Sequence, residues 1–280
     1  MKMRILTDQK IRSFQAYLTE NEKAGSTVRK YVHDLRCFAE FVGSQTLSKA
    51  LVLAYKARLA DRYAVRSANS MLASLNAFLR FAGRQELCVK QFKLQKETYR
   101  SEDRELTKAE YACLVRAAEQ KKNERLSLVV QTICGTGIRV SELEYITVEA
   151  VRRGEAIASC KGKTRKIFIV KALQKKLLRY AAEHKVISGR IFVTKNGRPL
   201  NRSNVWREMK DLCRDAGVSP KKVFPHNLRH LFAQTFYSIE KDIAKLADIL
   251  GHSNVNTTRI YIITTGAEHQ RRMENMHLIL

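Results

Sequence analysis

Residues 224–236 read FPHNLRHLFAQTF, and the period of this stretch decides the character of the chain's second half. A helix beginning near Pro225 carries His226 and Arg229, three apart, on one face, while Leu228, Leu231, Phe232 and Thr235 fill the other side. His230 falls off the polar face and reads as structural. A His and an Arg on one helical face suit a phosphodiester. The guanidinium neutralises two non-bridging oxygens, and the imidazole, near neutral pKa, takes or gives a proton. A solvated His/Arg pair is the ordinary alternative, so the stretch has to be read with others.

Three further stretches bear on it. CGTGIRVSELEYI (134–146) sets Arg139 behind two glycines at the start of a helical pattern, where a helix N-terminus already attracts anions. SCKGKTRKIFIV (159–170) reads as a hairpin tip carrying Lys161, Lys163, Arg165 and Lys166, and a lysine on a tight turn can reach a leaving oxygen and protonate it. DIAKLADILGHSNVNTTRIYI (242–262) ends a helix at Gly251, then places His252 and Tyr261 nine residues apart. Between them lies a polar connection that reads as short and mobile. Each alone also fits a surface arginine, a charged turn or a plain helix end. A tyrosine hydroxyl is a poor nucleophile unless cationic donors surround the phosphate it attacks. Two arginines, a lysine and two histidines meet that need without a metal, by stabilising the equatorial oxygens and protonating the departing 5′-oxygen.

The bulk of the chain agrees. Among 280 residues, 52 are Lys or Arg and 27 are acidic, a net charge of +25. Residues 1–100 hold 19 basic and 8 acidic groups, and residues 101–280 hold 33 and 19, so both halves are basic. A field spread along the whole chain fits a long polyanion, DNA or RNA, better than a basic tail on a neutral enzyme. The N-terminus MKMRILTDQK has no apolar run of signal-peptide length, and nothing approaches the roughly 20 apolar residues of a membrane span. The six cysteines (37, 88, 113, 134, 160 and 213) lie far apart, without zinc spacing, and read as buried thiols of a cytoplasmic protein. No metal or cofactor is expected.

The length suggests two domains. In the first, one apolar stripe runs through Ile11, Phe14, Tyr17 and Leu18. A second, capped by Ser26, runs from Val28 to Phe41, and a third from about Ser67 takes in Leu72, Leu75 and Phe78. With a shorter helix near 47–61 they make a helical bundle, and Arg29, Lys30, Arg36, Arg62, Arg66 and Arg80 face outward as candidate phosphate contacts, as Lys163 and Arg165 do on the hairpin. KLQKETYRSEDRE (93–105) has clustered charge and no period, as a linker does. Thr107 to Glu110 has capping-box spacing. Helices follow to about Glu149, then a hairpin of EAIASC and KIFIV, a helix at 171–184, a brief IFV strand, and helices at 203–216, 226–238 and 241–250. The expected class is mainly α with one small antiparallel sheet. The expected organisation is a helical DNA-binding domain at 1–95, a linker at 96–105, a catalytic domain at 106–265 and a terminal helix at 266–280.

GTGIRVSEL, KG at 161–162, HNLR and LGHSNVNTTRIY, in that order, resemble the motifs of the tyrosine recombinase (phage integrase) family, and the likeness covers the whole second half. The first hundred residues are similar in length and helical character to that family's core-binding, SAM-like domain. The resemblance implies that Arg139, Arg229 and His252 clamp the phosphate and that Lys161 is the general acid, with Lys163 a competitor. It makes His226 an acid/base partner and Tyr261 the nucleophile. It implies a clamp on duplex DNA at specific recombination sites, a 3′-phosphotyrosyl intermediate, a Holliday junction, and a tetramer joined through the apolar tail GAEHQRRMENMHLIL. It leaves room for an accessory protein that sets direction. A short chain of this kind is similar to Xer, integron or invertase enzymes, which have no arm-binding domain. The rivals are a type IB topoisomerase with the same residue set and a non-catalytic DNA-binding factor on the same scaffold.

Overall fold

The computed structural model describes residues 7–94, 104–160, 163–194, 196–262 and 273–276. The chain divides into two compact units, Met1–Lys96 and Glu97–Leu280.

The first unit is built from four helices: α1 (Asp8–Glu20), α2 (Gly25–Val42), α3 (Lys49–Arg62) and α4 (Val65–Phe81). Their apolar stripes meet in one core of which Phe14, Leu35, Phe38, Leu72 and Phe78 are wholly buried members. Tyr17 stands at the rim instead, exposed, with its ring 4.9 Å from that of Phe81. Ser26 does not cap α2, which starts at Gly25 behind Ala24, and α4 starts at Val65 behind Ala64. Neither alanine has a side-chain acceptor, so neither start carries a polar signature. Ser48 does cap α3, accepting from the Leu51 N–H. Arg29, Lys30, Arg36, Arg62, Arg66 and Arg80 are all exposed, Lys30 being paired with the buried Asp34.

Two asparagines on α4, one helical face apart at i and i+7, do what a neighbouring strand would do. Asn76 Nδ2 donates to Val89 O at 2.8 Å while its Oδ1 accepts from Val89 N at 3.0 Å, and Asn69 makes the same pair with Phe92 at 2.9 and 2.8 Å. The extended segment leaving the bundle is thereby fastened to it, with its backbone groups satisfied. Replacing Asn76 with Ala strands a buried donor and acceptor together, so we expect a loss of about 2 kcal/mol. Hydrogen exchange on the full chain checks this: the Val89 amide should lose protection, and unchanged protection there would refute the fastening.

The second unit holds α5 (Lys108–Gln120), α6 (Glu124–Thr136), a 3-10 turn Val140–Tyr145, α7 (Val148–Arg153), strands β1 (Glu155–Cys160) and β2 (Lys163–Phe168), and α8 (Lys171–Glu183). Then come α9 (Arg202–Asp211), α10 (Cys213–Ala216), α11 (Pro225–Glu240), α12 (Ile243–Leu250) and α13 (Val255–Ile262). The capping box at α5 is present in both halves, Thr107 and Glu110 each bonding the other's backbone N–H. The strands pair antiparallel with Glu155 opposite Phe168 and Cys160 opposite Lys163. The second strand thus begins three residues before the KIFIV run, as soon as the connection closes. The IFV stretch reduces to isolated bridges, Thr147 with Arg190 and Val193 with Pro199, although Ile191 and Phe192 are buried. Of the cysteines whose surroundings are described, Cys213 is buried, whereas Cys37, Cys88, Cys113 and Cys134 are only partly so; all five are free. Residues 95–103 of the expected linker and most of the terminal segment fall outside the described residues. Arg104 and Glu105 are tied to α11, however, as acceptors for Asn227 and Gln234.

Candidate active site

Arg229 lies on the second turn of α11 with 1% of its surface exposed. Its Nη1 donates to Gly137 O at 2.6 Å and its Nη2 to Leu250 O at 2.7 Å. Both acceptors are helix ends: Gly137 caps α6, and Leu250 is the last residue of α12. Each helix C-terminus carries roughly half a negative charge. Two of them offset one buried guanidinium without any carboxylate. Both ends are closed by a left-handed glycine, Gly137 (φ 65°) and Gly251 (φ 66°). A Cβ on Gly137 would collide with the Phe232 ring, and one on Gly251 with Arg165 Cδ, so both are held to glycine by space as well as by φ.

Arg139 precedes the 3-10 turn, and its side chain is 41% exposed. Its backbone N–H donates to Glu142 Oε2 at 2.7 Å and its Nη1 to Glu142 Oε1 at 3.0 Å. Glu142 is buried and also takes Arg165 Nη2 at 2.5 Å. Burial resists its ionisation, but the bonds from Arg165 and the Arg139 backbone outweigh that and hold its carboxyl below the ordinary carboxylate range. Arg165, expected among outward phosphate contacts, is turned inward. Only 10% of its side chain is exposed, and Nη1 donates to Ile249 O. Its partner across the hairpin is Ala158, which is buried, so Arg165 stands on the core face of β2 with Ile167. This corrects its placement as a surface cation.

His252 follows the cap of α12. Its Nε2 is 2.9 Å from Arg229 Nη2 and its Nδ1 is 2.9 Å from Thr258 Oγ1. Burial, then the charges of Arg229, Arg139 and Arg165, pull it from 6.5 down to about 4. Burial, with Arg139 adding to it, likewise brings Arg229 down to about 10, while the Tyr261 hydroxyl beside it acts in the opposite sense. The Nε of Arg229 is buried and has no hydrogen-bond partner among the described residues.

Tyr261 is 2% exposed and packs with Ala233, Leu246 and Leu250. Its ring lies parallel to His252 (9°, centroids 5.7 Å), edge-on to His230 (4.3 Å) and 5.9 Å from His226. The connection expected to be mobile is α13, which buries Thr258 and Tyr261, three residues apart, on one face. His230 is buried as a structural residue would be, but what it packs against is the tyrosine. The fold therefore brings Arg139, His226, Arg229, His252 and Tyr261 together. Lys161 lies outside the described residues, and only the backbone of Lys163 is described, as the first residue of β2. Sequence reasoning missed Glu142 and Thr258. The Arg-x-x-Glu spacing of a helix start was the available signal for the first, and helical spacing from Tyr261 for the second. Among the described residues there is no group of three or more His, Cys, Asp or Glu side chains that could hold a metal, and no helix long and apolar enough to cross a membrane.

Comparison with known proteins places this geometry. Residues 104–267 match the phage integrase family, and residues 11–86 match the phage integrase N-terminal SAM-like domain. Tyrosine recombinase XerA of Pyrococcus furiosus is 31% identical over 100% of this chain and 98% of its own length. Among solved structures, a lambda integrase tetramer bound to a Holliday junction covers 92% of this chain and 79% of its own, at 18% identity and a TM-score of 0.72. A XerH site-specific recombinase bound to its difH substrate covers 90% and 79%, at 18% identity and a TM-score of 0.69. The chain belongs to the phage integrase family. It is a DNA strand transferase of the tyrosine recombinase class.

The depressed His252 pKa sets a sign. The unfolded chain takes up a proton near 6.5 and the folded one only near 4, so acidification through that window favours unfolding. The thermal midpoint should therefore fall from pH 6.5 toward pH 4, and His252→Gln should flatten that fall. Parallel curves for the two proteins would show that His252 is not the group responsible.

Proposed function

We propose that this chain cuts and rejoins duplex DNA at specific sites through Tyr261. The Tyr261 oxygen attacks the phosphorus, forming a 3′-phosphotyrosyl bond and breaking the bond to the 5′-oxygen. Arg139, Arg229 and His252 hold the non-bridging oxygens, His226 takes the tyrosine proton, and Lys161 gives one to the departing 5′-oxygen. Because the phosphotyrosyl bond keeps the energy of the broken linkage, a 5′-hydroxyl from a second duplex can reverse the step, and two such exchanges pass through a Holliday junction.

The observation that carries this reading is the charge balance around the tyrosine. Among the described residues, three guanidiniums, Arg139, Arg165 and Arg229, converge with a single carboxylate, Glu142, and a histidine held neutral. That surplus is what a phosphodiester and its transition state need, and what a protein site without an anionic substrate would avoid. Exposed Arg29, Arg36, Arg62, Arg66 and Arg80 on the first unit suit non-specific backbone contact. By likeness to the integrase tetramer on a Holliday junction, the working form is a tetramer on paired sites. Direction is then left to the arrangement of sites and to any accessory protein. A DNA substrate assigns the work to the cytoplasm.

Suicide duplexes carrying candidate sites should trap covalent protein–DNA adduct with wild type. Tyr261→Phe should abolish it, leaving shift of the DNA in gels unchanged. Equal trapping by both would end the catalytic reading. Plasmids with two sites should yield recombinants, whereas relaxation confined to one-site plasmids would mean a topoisomerase. Lys161→Ala should lower adduct formation by roughly 10²-fold or more, the usual worth of a general acid. A larger loss with Lys163→Ala would transfer the acid role to residue 163.

A further inference from the structure

Thr258 is wholly buried and spends its hydroxyl on one partner, His252 Nδ1 at 2.9 Å. On the other side of the same ring, Nε2 faces Arg229 Nη2 at 2.9 Å. An arginine nitrogen only donates, so a contact at that distance requires a lone pair on Nε2. The ring proton must then sit on Nδ1, where Thr258 Oγ1 accepts it. The opposite arrangement would set an Nε2–H against a guanidinium N–H, two donors at hydrogen-bond distance with nothing between them. Protonating both nitrogens meets the same clash and adds a fourth positive charge beside Arg139, Arg165 and Arg229.

We propose that Arg229 fixes His252 as its Nδ1–H tautomer and that Thr258 is the positioning residue that receives the Nδ1 proton, so that the resting site presents an Nε2 lone pair toward Arg229. This rests on the reading of His252 as a phosphate ligand only for its consequence, not for its geometry. In this tautomer Nε2 accepts and cannot donate to a phosphate oxygen. His252 becomes a donor there only after taking a proton at Nε2, which requires the Arg229 N–H facing that nitrogen to move off it, while Nδ1–H keeps its place on Thr258. The surrounding guanidiniums oppose that proton, in keeping with the low pKa of about 4. A phosphate between Arg139 and Arg229 would relieve the opposition, which couples protonation of His252 to arrival of the anion. The parallel packing of the ring on Tyr261 makes the same tether hold the face against which the nucleophile rests.

Imidazole nitrogen resonances of the full chain, labelled with ¹⁵N-histidine and recorded near neutral pH without DNA, test this directly. The His252 signals are those missing from His252→Gln. Wild type should show a protonated Nδ1 and an unprotonated Nε2. Thr258→Val keeps the shape but removes the acceptor; the ring should stay Nδ1–H, held by Arg229, while its Nδ1 proton moves upfield and exchanges with solvent about fivefold faster, the effect of one net hydrogen bond. Thr258→Ser should restore the wild-type pattern, and the His33 and His184 signals should stay in place in all three as a check on folding. A wild-type His252 protonated at Nε2 overturns the proposal even if no variant folds, and so does a valine variant whose His252 signals are unchanged. Because no DNA is present, these outcomes are separate from failure of the adduct assay.

Discussion

A single buried cation organises this site. Arg229 has almost no exposed surface, yet its charge is met by the carbonyl ends of two helices rather than by an acid. A carboxylate would have satisfied the arginine equally well and repelled a phosphate. Partial charges on peptide carbonyls accept its Nη protons without placing a formal negative charge where a phosphate would approach. Everything near it follows from that choice. α6 and α12 must end where they do, and both must end in a residue able to adopt positive φ with no Cβ, because the space beyond each carbonyl is filled by Phe232 in one case and Arg165 in the other.

Glu142 completes the balance. It is the one acid among the converging charges, shared by Arg139 and Arg165. Its two oxygens do different work. Oε1 takes only the Arg139 guanidinium and helps aim it, while Oε2 takes the Arg139 backbone N–H as well as Arg165. Arg165 in turn ties the second strand of the hairpin to the end of α12 through Ile249 O. The hairpin that bears the proposed acid is therefore linked, through one guanidinium and one carboxylate, to the arginine and histidine proposed to hold the phosphate.

Much of this was legible in the sequence, and the failures have physical causes. The stripes of the first bundle, the capping box at Thr107 and the helix carrying His226 and Arg229 were readable because periodicity reports burial directly. Two helix starts were not, because Ala24 and Ala64 cap with no side chain. Arg165 was read as a surface cation from its charge, although the period of two through Ile167 and Ile169 places it on the core face; charge was given more weight than register. Glu142 carried a local signal only toward Arg139, three residues before it; its second arginine lies twenty-three residues after it, beyond any helical spacing. Asn69 and Asn76 look like polar interruptions of a helix, and only the extended segment they bind explains them.

The polar run between His252 and Tyr261 takes a form that its composition did not suggest. Small polar residues suggested a loose tether that delivers the tyrosine. In the fold they form α13, and their polarity has a more specific use. Asn254 turns the chain into the helix by accepting the Asn256 N–H. Thr258 faces inward to hold His252, and Tyr261 shares that inward face one turn later. An apolar residue at 258 would pack equally well and leave the imidazole nitrogen without a partner. The nine-residue spacing is thus set by a short helix and the cap before it: His252 lies ahead of the helix, its anchor at the end of the first turn, and Tyr261 at the end of the second.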